Sequence, residues 1–384
     1  MRRTIFILFL LITAQVFAQP QTLKGRIVDA DTQEGVAYAN IGIEGTYYGT
    51  ASNLQGFFEL KVPEEFYGEK LYVSAVGYEN VTFAVTDLLK QDFNRIALKE
   101  QTYSIEGIDV AAQSRVLFRV IRTAAKQVPA IFQKGPLGLT FHYLETMQVE
   151  EAEPIIREAI VDLYDEAGYQ NPSITDAFAS RNYRFTQVNR NFEPYSFPSG
   201  QTGFDELLEM DLARLSNTIF AEPLLNDFDL HLEGISAYNG DSVWVISYKT
   251  NQPNLAHTGD FYATRLDGKM YILKSNYALV RNEMVIEATK NNSQNRSLFT
   301  NSQEQRQVRY HLTSLYQQQD GKYALSYLDC DKTYANEKGE QVSYSRKAGV
   351  LKRTNAPEKI VGRDYFENTT YIESFWKSFH AEKK

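Results

Sequence analysis

A histidine and a glutamate, His142 and Glu145, have the spacing of a metal-ligating pair in the stretch HYLE. Imidazole nitrogens and carboxylate oxygens both bind Zn²⁺, and a third ligand can come from a distant part of the chain. His231 and His257 lie downstream and are the candidates for that third ligand. The chemistry of such a site would be metal-assisted hydrolysis.

The residues around this pair follow the pattern of a β-strand. Positions 139 to 149 alternate in character, and side chains at i and i+3 of a strand project to opposite faces. Phe141 and Tyr143 flank the histidine, where zinc carboxypeptidases have small residues. We therefore predict no metal and no cofactor, and interpret His142 as a hydrogen-bonded strand residue. A zinc-dependent, carboxypeptidase-like peptidase, or a relic of one, with His142 and Glu145 as ligands, is the alternative.

Serine and cysteine side chains form no recognisable nucleophilic site. Ser196 and Ser199 lie in a loop with proline and glycine and lack the GxSxG spacing of a nucleophile elbow. The single cysteine, Cys330, lies in an alternating stretch on the side of small and apolar residues, which predicts a buried thiol rather than a reactive thiolate. No GxxxxGK[ST] phosphate loop occurs. The sequence thus predicts no catalytic residue.

Aromatic residues are abundant, with 25 tyrosines and 23 phenylalanines in 384 residues. Such rings pack the core of a sheet, but exposed rings also bind sugars, peptides or lipids. We predict a ligand-binding surface in the C-terminal part, with six candidates: Trp244, Tyr248, Phe261, Tyr262, Tyr271 and Tyr277. Because strand side chains alternate, some of these six point away from the binding face.

Strands joined by tight turns must position these residues. Asn-Gly and Asp-Gly pairs between extended runs, such as Asn239-Gly240, predict hairpins. Hydrophobic periodicity predicts one amphipathic helix capped by Ser114 and stopped at Pro129, and a second over residues 203–220, where Thr202 and Asp205 have capping-box spacing. These elements predict an antiparallel sheet domain over residues 114–384, with about eight to ten strands and about two covering helices.

The N-terminus carries Arg2 and Arg3, an apolar run and small residues up to Ala18. This order predicts a cleaved signal peptide over residues 1–18, and hence an exported protein, periplasmic or associated with the outer membrane. Cleavage would move the net charge from −8 to −10. Such a chain repels phosphate backbones, so we expect no nucleic-acid partner.

Residues 19–100 alternate short apolar runs with turn residues, which predicts a small antiparallel β-sandwich, and residues 101–113 are interpreted as a linker. The sandwich resembles the carboxypeptidase regulatory-like domain that heads many envelope proteins of Gram-negative bacteria. The resemblance rests on Gly25-Arg26-Ile27-Val28-Asp29, Gly45-Thr46, Gly56-Phe57 and Gly77-Tyr78. It implies a folding and interaction module without chemistry of its own.

The domain behind the sandwich resembles the uncharacterised β-rich domain that follows it in other envelope proteins, through residues 259–281. It is more distantly similar to the half-barrel of periplasmic lipoprotein carriers, whose curved sheet holds an acyl chain.

With a mainly β fold class, these features favour a non-enzymatic exported envelope protein that acts in binding or assembly. Its partner would be an envelope protein, a glycan or a lipid, with peripheral membrane contact as one option. A periplasmic lipid carrier is an alternative function beside the zinc peptidase.

Overall fold

The computed structural model of the protein consists of two compact units, which divide between Glu100 and Gln101. The structure describes residues 21–46, 48–101, 110–194, 202–238, 241–250, 252–260, 262–289, 307–336, 338–362 and 365–381. The predicted signal peptide, the Asn239-Gly240 turn and the candidate Phe261 lie outside the described residues.

Two small sheets with one shared core form the first unit. Its strands are β1 (Gln21–Asp29), β2 (Asn40–Ile43), β3 (Gly49–Ala51), β4 (Phe57–Val62), β5 (Lys70–Ser74), β6 (Val81–Ala84) and β7 (Asn94–Leu98). The sheet orders are β4-β1-β7 and β3-β2-β5-β6. The sandwich is not purely antiparallel as predicted, because β1 and β7 pair in parallel. Their long connection through the other strands allows this crossover.

A tight turn between the two sheets depends on Gly56. The side chain of Asn53 accepts hydrogen bonds from the backbone N–H groups of Gln55 and Phe57, at 3.0 and 2.9 Å. Gly56 follows with φ of +84°, and a Cβ atom on it would lie 2.2 Å from the carbonyl oxygen of Ile27. Glycine is therefore required here both by backbone angle and by space.

Substitution of Gly56 by alanine should destabilise the first unit more than the same change at Gly45. Gly45 also has a positive φ, +74°, but no atom lies within 4 Å of its added Cβ. Gly45→Ala should cost about 1 kcal/mol of conformational strain, whereas Gly56→Ala adds a steric clash. Amide hydrogen exchange of β1 and β4 in the full chain measures both changes. Equal protection losses in the two variants would contradict this account of Gly56.

One antiparallel sheet of ten strands forms the frame of the second unit. The strands are β8 (Leu137–Val149), β9 (Ile155–Asp165), β10 (Arg181–Val188), β11 (Asp229–Tyr238), β12 (Asp241–Thr250), β13 (Ala263–Leu273), β14 (Leu279–Ala288), β15 (Val308–Gln319), β16 (Lys322–Ala335) and β17 (Gln341–Thr354). Their order is β10-β9-β8-β17-β16-β15-β14-β13-β12-β11. This sheet confirms the predicted mainly β fold class.

Helices are more numerous than predicted. They are α1 (Val85–Leu88) in the first unit, and α2 (Val110–Ile131), α3 (Ile174–Ser180), α4 (Gly203–Leu208), α5 (Leu212–Leu215), α6 (Leu255–Thr258) and α7 (Glu373–Ala381) in the second. Within the described part of the chain, no helix has the length and apolar character needed to cross a membrane.

The first predicted helix extends beyond both of its predicted ends. Helix α2 begins at Val110, inside the segment interpreted as a linker, because residues 110–113 include two alanines and a glutamine, which favour helix. It also continues past Pro129, since the N–H of Phe132 still donates to the carbonyl of Val128 at 2.9 Å. Most of the predicted apolar face is buried, including Leu117 and Ile121, but Val116, predicted on the same face, is 53% exposed.

The second predicted helix is interrupted. Its start is as predicted, because the side chains of Thr202 and Asp205 form a capping box at α4. Asp211 then caps the separate helix α5. Ser216 and Thr218 adopt positive φ angles of 48° and 47°, which end that helix and turn the chain. Residues 203–220 therefore form short helical pieces joined by sharp turns.

A row of side chains identifies the face of the sheet that these pieces cover. Directly opposed residues on neighbouring strands share a face, and one such row contains Glu145, Arg346, Cys330, Leu312 and Met284. The side chain of Arg346 pairs with a glutamate of α4. We call this the helix-covered face.

Candidate functional site

The predicted aromatic candidates do not form one surface. Tyr248 and Tyr271 are buried, with 1% and 3% of their surfaces exposed. Tyr271 pairs with Val245, three residues before Tyr248, so the two tyrosines lie on opposite faces of the sheet. The hydroxyl of Tyr248 donates to Oδ1 of Asn282 at 2.9 Å, as a core tyrosine requires.

The remaining described candidates are half-buried. The rings of Trp244 and Tyr277 lie 5.3 Å apart, and Lys274 lies over the Trp244 ring. The backbone N–H of Tyr262 donates to the side chain of Asp260 at 2.7 Å. A binding role for these residues stays a prediction.

His142 and Glu145 have separate partners on opposite faces of the sheet. Nε2 of His142 lies 2.6 Å from Oε1 of Glu158, whose other oxygen lies 2.9 Å from Nε2 of His380 in α7. Glu145 instead pairs with Arg157 at 2.8 Å. The described residues hold no group of three histidine, cysteine or acidic side chains that could bind a metal ion. The candidate third ligand His257 bonds Asp227 at 3.0 Å.

A buried charge cluster explains the ionisation of Glu145. Arg346 contacts both Glu145, at 3.2 Å, and Glu206 of α4. Burial alone would raise the pKa of Glu145, but Arg346 and hydrogen bonds from neighbouring tyrosines outweigh it and lower the pKa to about 2. Burial also lowers the pKa of Lys332 nearby to about 7 and raises the pKa of the Cys330 thiol. Cys330 is buried, as predicted.

A large opening in the described part of the second unit lies between the helical pieces and the helix-covered face. It is a cavity of about 850 Å³, and we call it the main cavity. Most of its wall is apolar, and the principal apolar side chains are Phe178, Met210, Leu212, Leu215, Leu224 and Met284. Phe178 and Ile174 of α3 are 36% and 38% exposed, and both belong to the wall. Apolar surface at this position is available to an incoming molecule.

Caps and turns in the sequence position this wall. Asn254 caps α6 by accepting hydrogen bonds from the N–H groups of Ala256 and His257 at 2.9 and 3.3 Å. The left-handed residues Ser216 and Thr218 turn the chain around the cavity. The interrupted helix therefore leaves space above the sheet that a continuous helix would not.

A buried ion network fastens the helical pieces to the end of β9. Arg214 of α5 is fully buried, and its guanidinium donates to Asp165 at 2.8 Å and to Asp176 of α3 at 2.8 Å. Arg181 pairs with Asp165 at 3.0 Å and also with Asp211. Burial would raise the pKa of Asp165, but the two arginines outweigh burial and lower it. The network thus holds two walls of the main cavity at fixed positions.

A second, smaller cavity of about 60 Å³ adjoins the main cavity. The two share Phe178, Glu209 and Leu215 in their walls. We call the smaller one the side pocket. Of the described aromatic candidates predicted from the sequence, none belongs to either wall.

Comparison with known proteins identifies the first unit. Residues 23–110 match the family model of the CarboxypepD_reg-like domain. The N-terminal unit is therefore a carboxypeptidase regulatory-like domain, which confirms the predicted resemblance. The match covers less than half of the chain, so it defines this domain and not the second unit.

No curated protein matches the chain in sequence. Among solved structures, the chain is similar to a putative outer membrane lipoprotein-sorting protein domain from Vibrio parahaemolyticus, with 10% identity, 68% of this chain and 98% of that chain covered, and a TM-score of 0.27. The chain is also similar to a LolA superfamily protein from Nitrosomonas europaea, with 10% identity, 63% of this chain and 94% of that chain covered, and a TM-score of 0.24. A third similar structure is the lipoprotein LppX from Mycobacterium tuberculosis, with 11% identity, 64% of this chain and 99% of that chain covered, and a TM-score of 0.25.

Proposed function

We propose that the second unit binds the hydrocarbon chain of an amphiphile in the main cavity, and that the protein is a non-enzymatic, exported envelope protein. The observation that carries this proposal is the main cavity of about 850 Å³ between the sheet and the helical pieces. Its volume falls within the range of roughly 300 to 1,000 Å³ of small-molecule sites.

The wall favours a hydrocarbon over a glycan or a peptide. Most of its exposed surface is apolar, and the leucine, methionine and phenylalanine side chains in it offer no hydrogen bonds to sugar hydroxyls or peptide groups. Each methylene group transferred from water to such a wall contributes about 0.8 kcal/mol of binding free energy. The lipid is thus the partner class, among those predicted, that the cavity supports best.

We assign contact with an envelope partner to the carboxypeptidase regulatory-like domain. Its strands bury their apolar side chains in one shared core. The resemblance implies an interaction module without chemistry. This assignment leaves ligand binding to the second unit.

A tryptophan at the cavity wall should block binding of 1-decanol. Ala256 of α6 is exposed and belongs to the wall, so Ala256→Trp places an indole in the cavity without disturbing the core. Loss of room for two methylene groups would weaken binding about tenfold. Calorimetric titration of the delipidated full chain gives the dissociation constants.

The matched control is Ala179→Trp. Ala179 is an exposed alanine of α3 and does not belong to either cavity wall. This variant should bind 1-decanol as the unmodified chain does. Equal affinity of all three proteins, or no binding by the unmodified chain, would refute the proposal.

A further inference from the structure

The outer face of helix α2 carries a row of positive charges. The helix has no acidic residue in its 22 positions, and its four basic residues are Arg115, Arg119, Arg122 and Lys126. They are spaced by four, three and four residues, so they lie on one face of the helix. At a rise of about 1.5 Å per residue, the row is about 16 Å long. We call this row the basic stripe.

The basic stripe faces solvent. All four of its residues are exposed, on the side of α2 opposite its buried apolar face. Glu222 pairs with two of them, Arg122 at 3.0 Å and Lys126 at 3.7 Å. Within the described part of the chain, Arg115 and Arg119 form no ion pair. Four cations therefore share one carboxylate, and the stripe retains a net positive charge.

This row repels itself, so the stability of the helix does not account for it. Arg115 and Arg119 are four residues apart, as are Arg122 and Lys126. Like charges at this spacing destabilise a helix, whereas opposite charges stabilise it. The chain has 48 acidic and 40 basic residues, so acids that could alternate with these cations are not scarce. A helix face that carries cations alone points to a negatively charged partner.

The stripe borders the segment that forms part of the main-cavity wall. Ser216 and Thr218 belong to that wall. Ser216 and Glu222 also line a small cavity of about 140 Å³, together with Arg122 and Lys126 of the stripe. One turn of the chain therefore lies between the stripe and the main cavity, and a surface bound to the stripe would lie beside the main cavity.

We infer that the basic stripe docks the protein on a membrane of anionic phospholipids. Arginine side chains such as Arg115 and Arg119 donate hydrogen bonds to phosphate oxygens. Val116, next to them on the helix surface, is 53% exposed and offers an apolar contact to the membrane interface. The choice of a membrane over an acidic protein rests on the proposed function, since a membrane holds the hydrocarbon chains that the main cavity would take.

The overall negative charge of the chain does not prevent this docking. The chain has a formal net charge of −8, which disfavours a long-range approach to an anionic surface. At physiological ionic strength, exposed charges separated by more than about 8 Å are largely screened. The stripe therefore dominates the interaction once α2 touches the surface.

Co-sedimentation of the full chain with phospholipid vesicles tests the inference. Vesicles of phosphatidylglycerol and phosphatidylcholine in equal amounts should bind it about 100-fold more tightly than phosphatidylcholine alone, because each cation at an anionic surface contributes about fivefold. Replacing both Arg115→Gln and Arg119→Gln should weaken binding to the anionic vesicles about 25-fold. Raising the salt concentration from about 0.1 M to about 1 M should release the protein, because the Debye length falls from about 10 Å to about 3 Å.

Two further double variants separate the stripe from net charge. Arg115→Lys with Arg119→Lys keeps both charges and should bind within about threefold of the unmodified chain. Lys249→Gln with Arg309→Gln removes two exposed cations from the sheet face opposite the helix-covered face. This variant has the same net charge as the glutamine variant of the stripe but should bind the anionic vesicles within about twofold of the unmodified chain.

The outcomes distinguish docking from tail binding. Equal affinity for both kinds of vesicle, or equal losses in the two glutamine variants, would overturn the inference. Binding to polyglutamate but not to anionic vesicles would assign the stripe to an acidic protein and would also overturn it. A chain that binds the anionic vesicles through the stripe but does not bind 1-decanol would reject the proposed function and leave the docking surface standing.

Discussion

Replacement of Arg214 by methionine should lower the free energy of unfolding of the second unit by about 3 to 5 kcal/mol. Arg214 is fully buried and donates to Asp165, Asp176 and the hydroxyl of Ser180. Methionine is unbranched and apolar but lacks the guanidinium, so Asp165 would remain buried with Arg181 as its remaining ion-pair partner. A buried carboxylate that loses a cation is far less stable than an exposed one, because no water replaces the lost contact.

Amide hydrogen exchange of β9 and β10 in the full chain measures this change without assuming a single unfolding transition. Arg265→Met is the control, because Arg265 is 58% exposed and pairs with Asp267 and Glu287 at the surface. Its loss should cost less than about 1 kcal/mol. A similar small effect in Arg214→Met would show that the ion network does not hold the cavity walls.

The length of the hydrocarbon tail should dominate affinity. Lengthening a primary alcohol from hexanol to decanol adds four methylene groups, and each contributes about 0.8 kcal/mol if it enters an apolar wall. The dissociation constant should therefore fall by about two orders of magnitude. The main cavity of about 850 Å³ is large enough to take a tail of this length.

The same titrations in Ala256→Trp should show a weaker dependence on chain length, because the indole occupies space that the last methylene groups need. Ala179→Trp should retain the full dependence. A less than tenfold difference between hexanol and decanol in the unmodified chain would indicate surface adsorption rather than burial of the tail.

Much of the frame of the second unit could be predicted from the sequence. Alternating runs predicted an antiparallel sheet, and the spacing of Thr202 and Asp205 predicted the start of α4. The predicted Asp320-Gly321 turn joins β15 and β16, but the predicted turn at Asp267-Gly268 is wrong, because this pair lies within β13. Both signals are local: a strand alternates with its own pleat, and a cap bonds within one turn. The resemblance of the first unit was equally readable, because turn glycines such as Gly56 have positive φ angles that few other residues adopt.

The cavity could not be predicted in this way. It depends on the interruption of residues 203–220, where Ser216 and Thr218 adopt left-handed angles that are uncommon for residues other than glycine. Their apolar neighbours fit one continuous helix equally well by periodicity. Asp211 is an N-cap that pairs with Arg181, a role that the helical periodicity of this segment does not indicate.

Alternation also could not decide which aromatic residues are exposed. Alternation places Tyr248 and Tyr271 on opposite faces of the sheet, and both side chains are buried. The wall of the cavity comes instead from residues 172–178, 209–224 and 253–259, together with Met284 of β14. Arg214, in one of these short helices, also pairs with Asp165 at the end of β9. Such long-range packing leaves no local pattern in the sequence.

The location of a bound tail tests the central claim most directly. A decyl alcohol with a diazirine at the end of its chain, activated by light on the full chain, should label peptides that contain residues 172–178, 209–224, 253–259 or Met284, which form the main-cavity wall. Excess 1-decanol should suppress this labelling, and Ala256→Trp should reduce it. Labelling confined to peptides outside that wall, unaffected by Ala256→Trp, would contradict the assignment of the main cavity as the binding site.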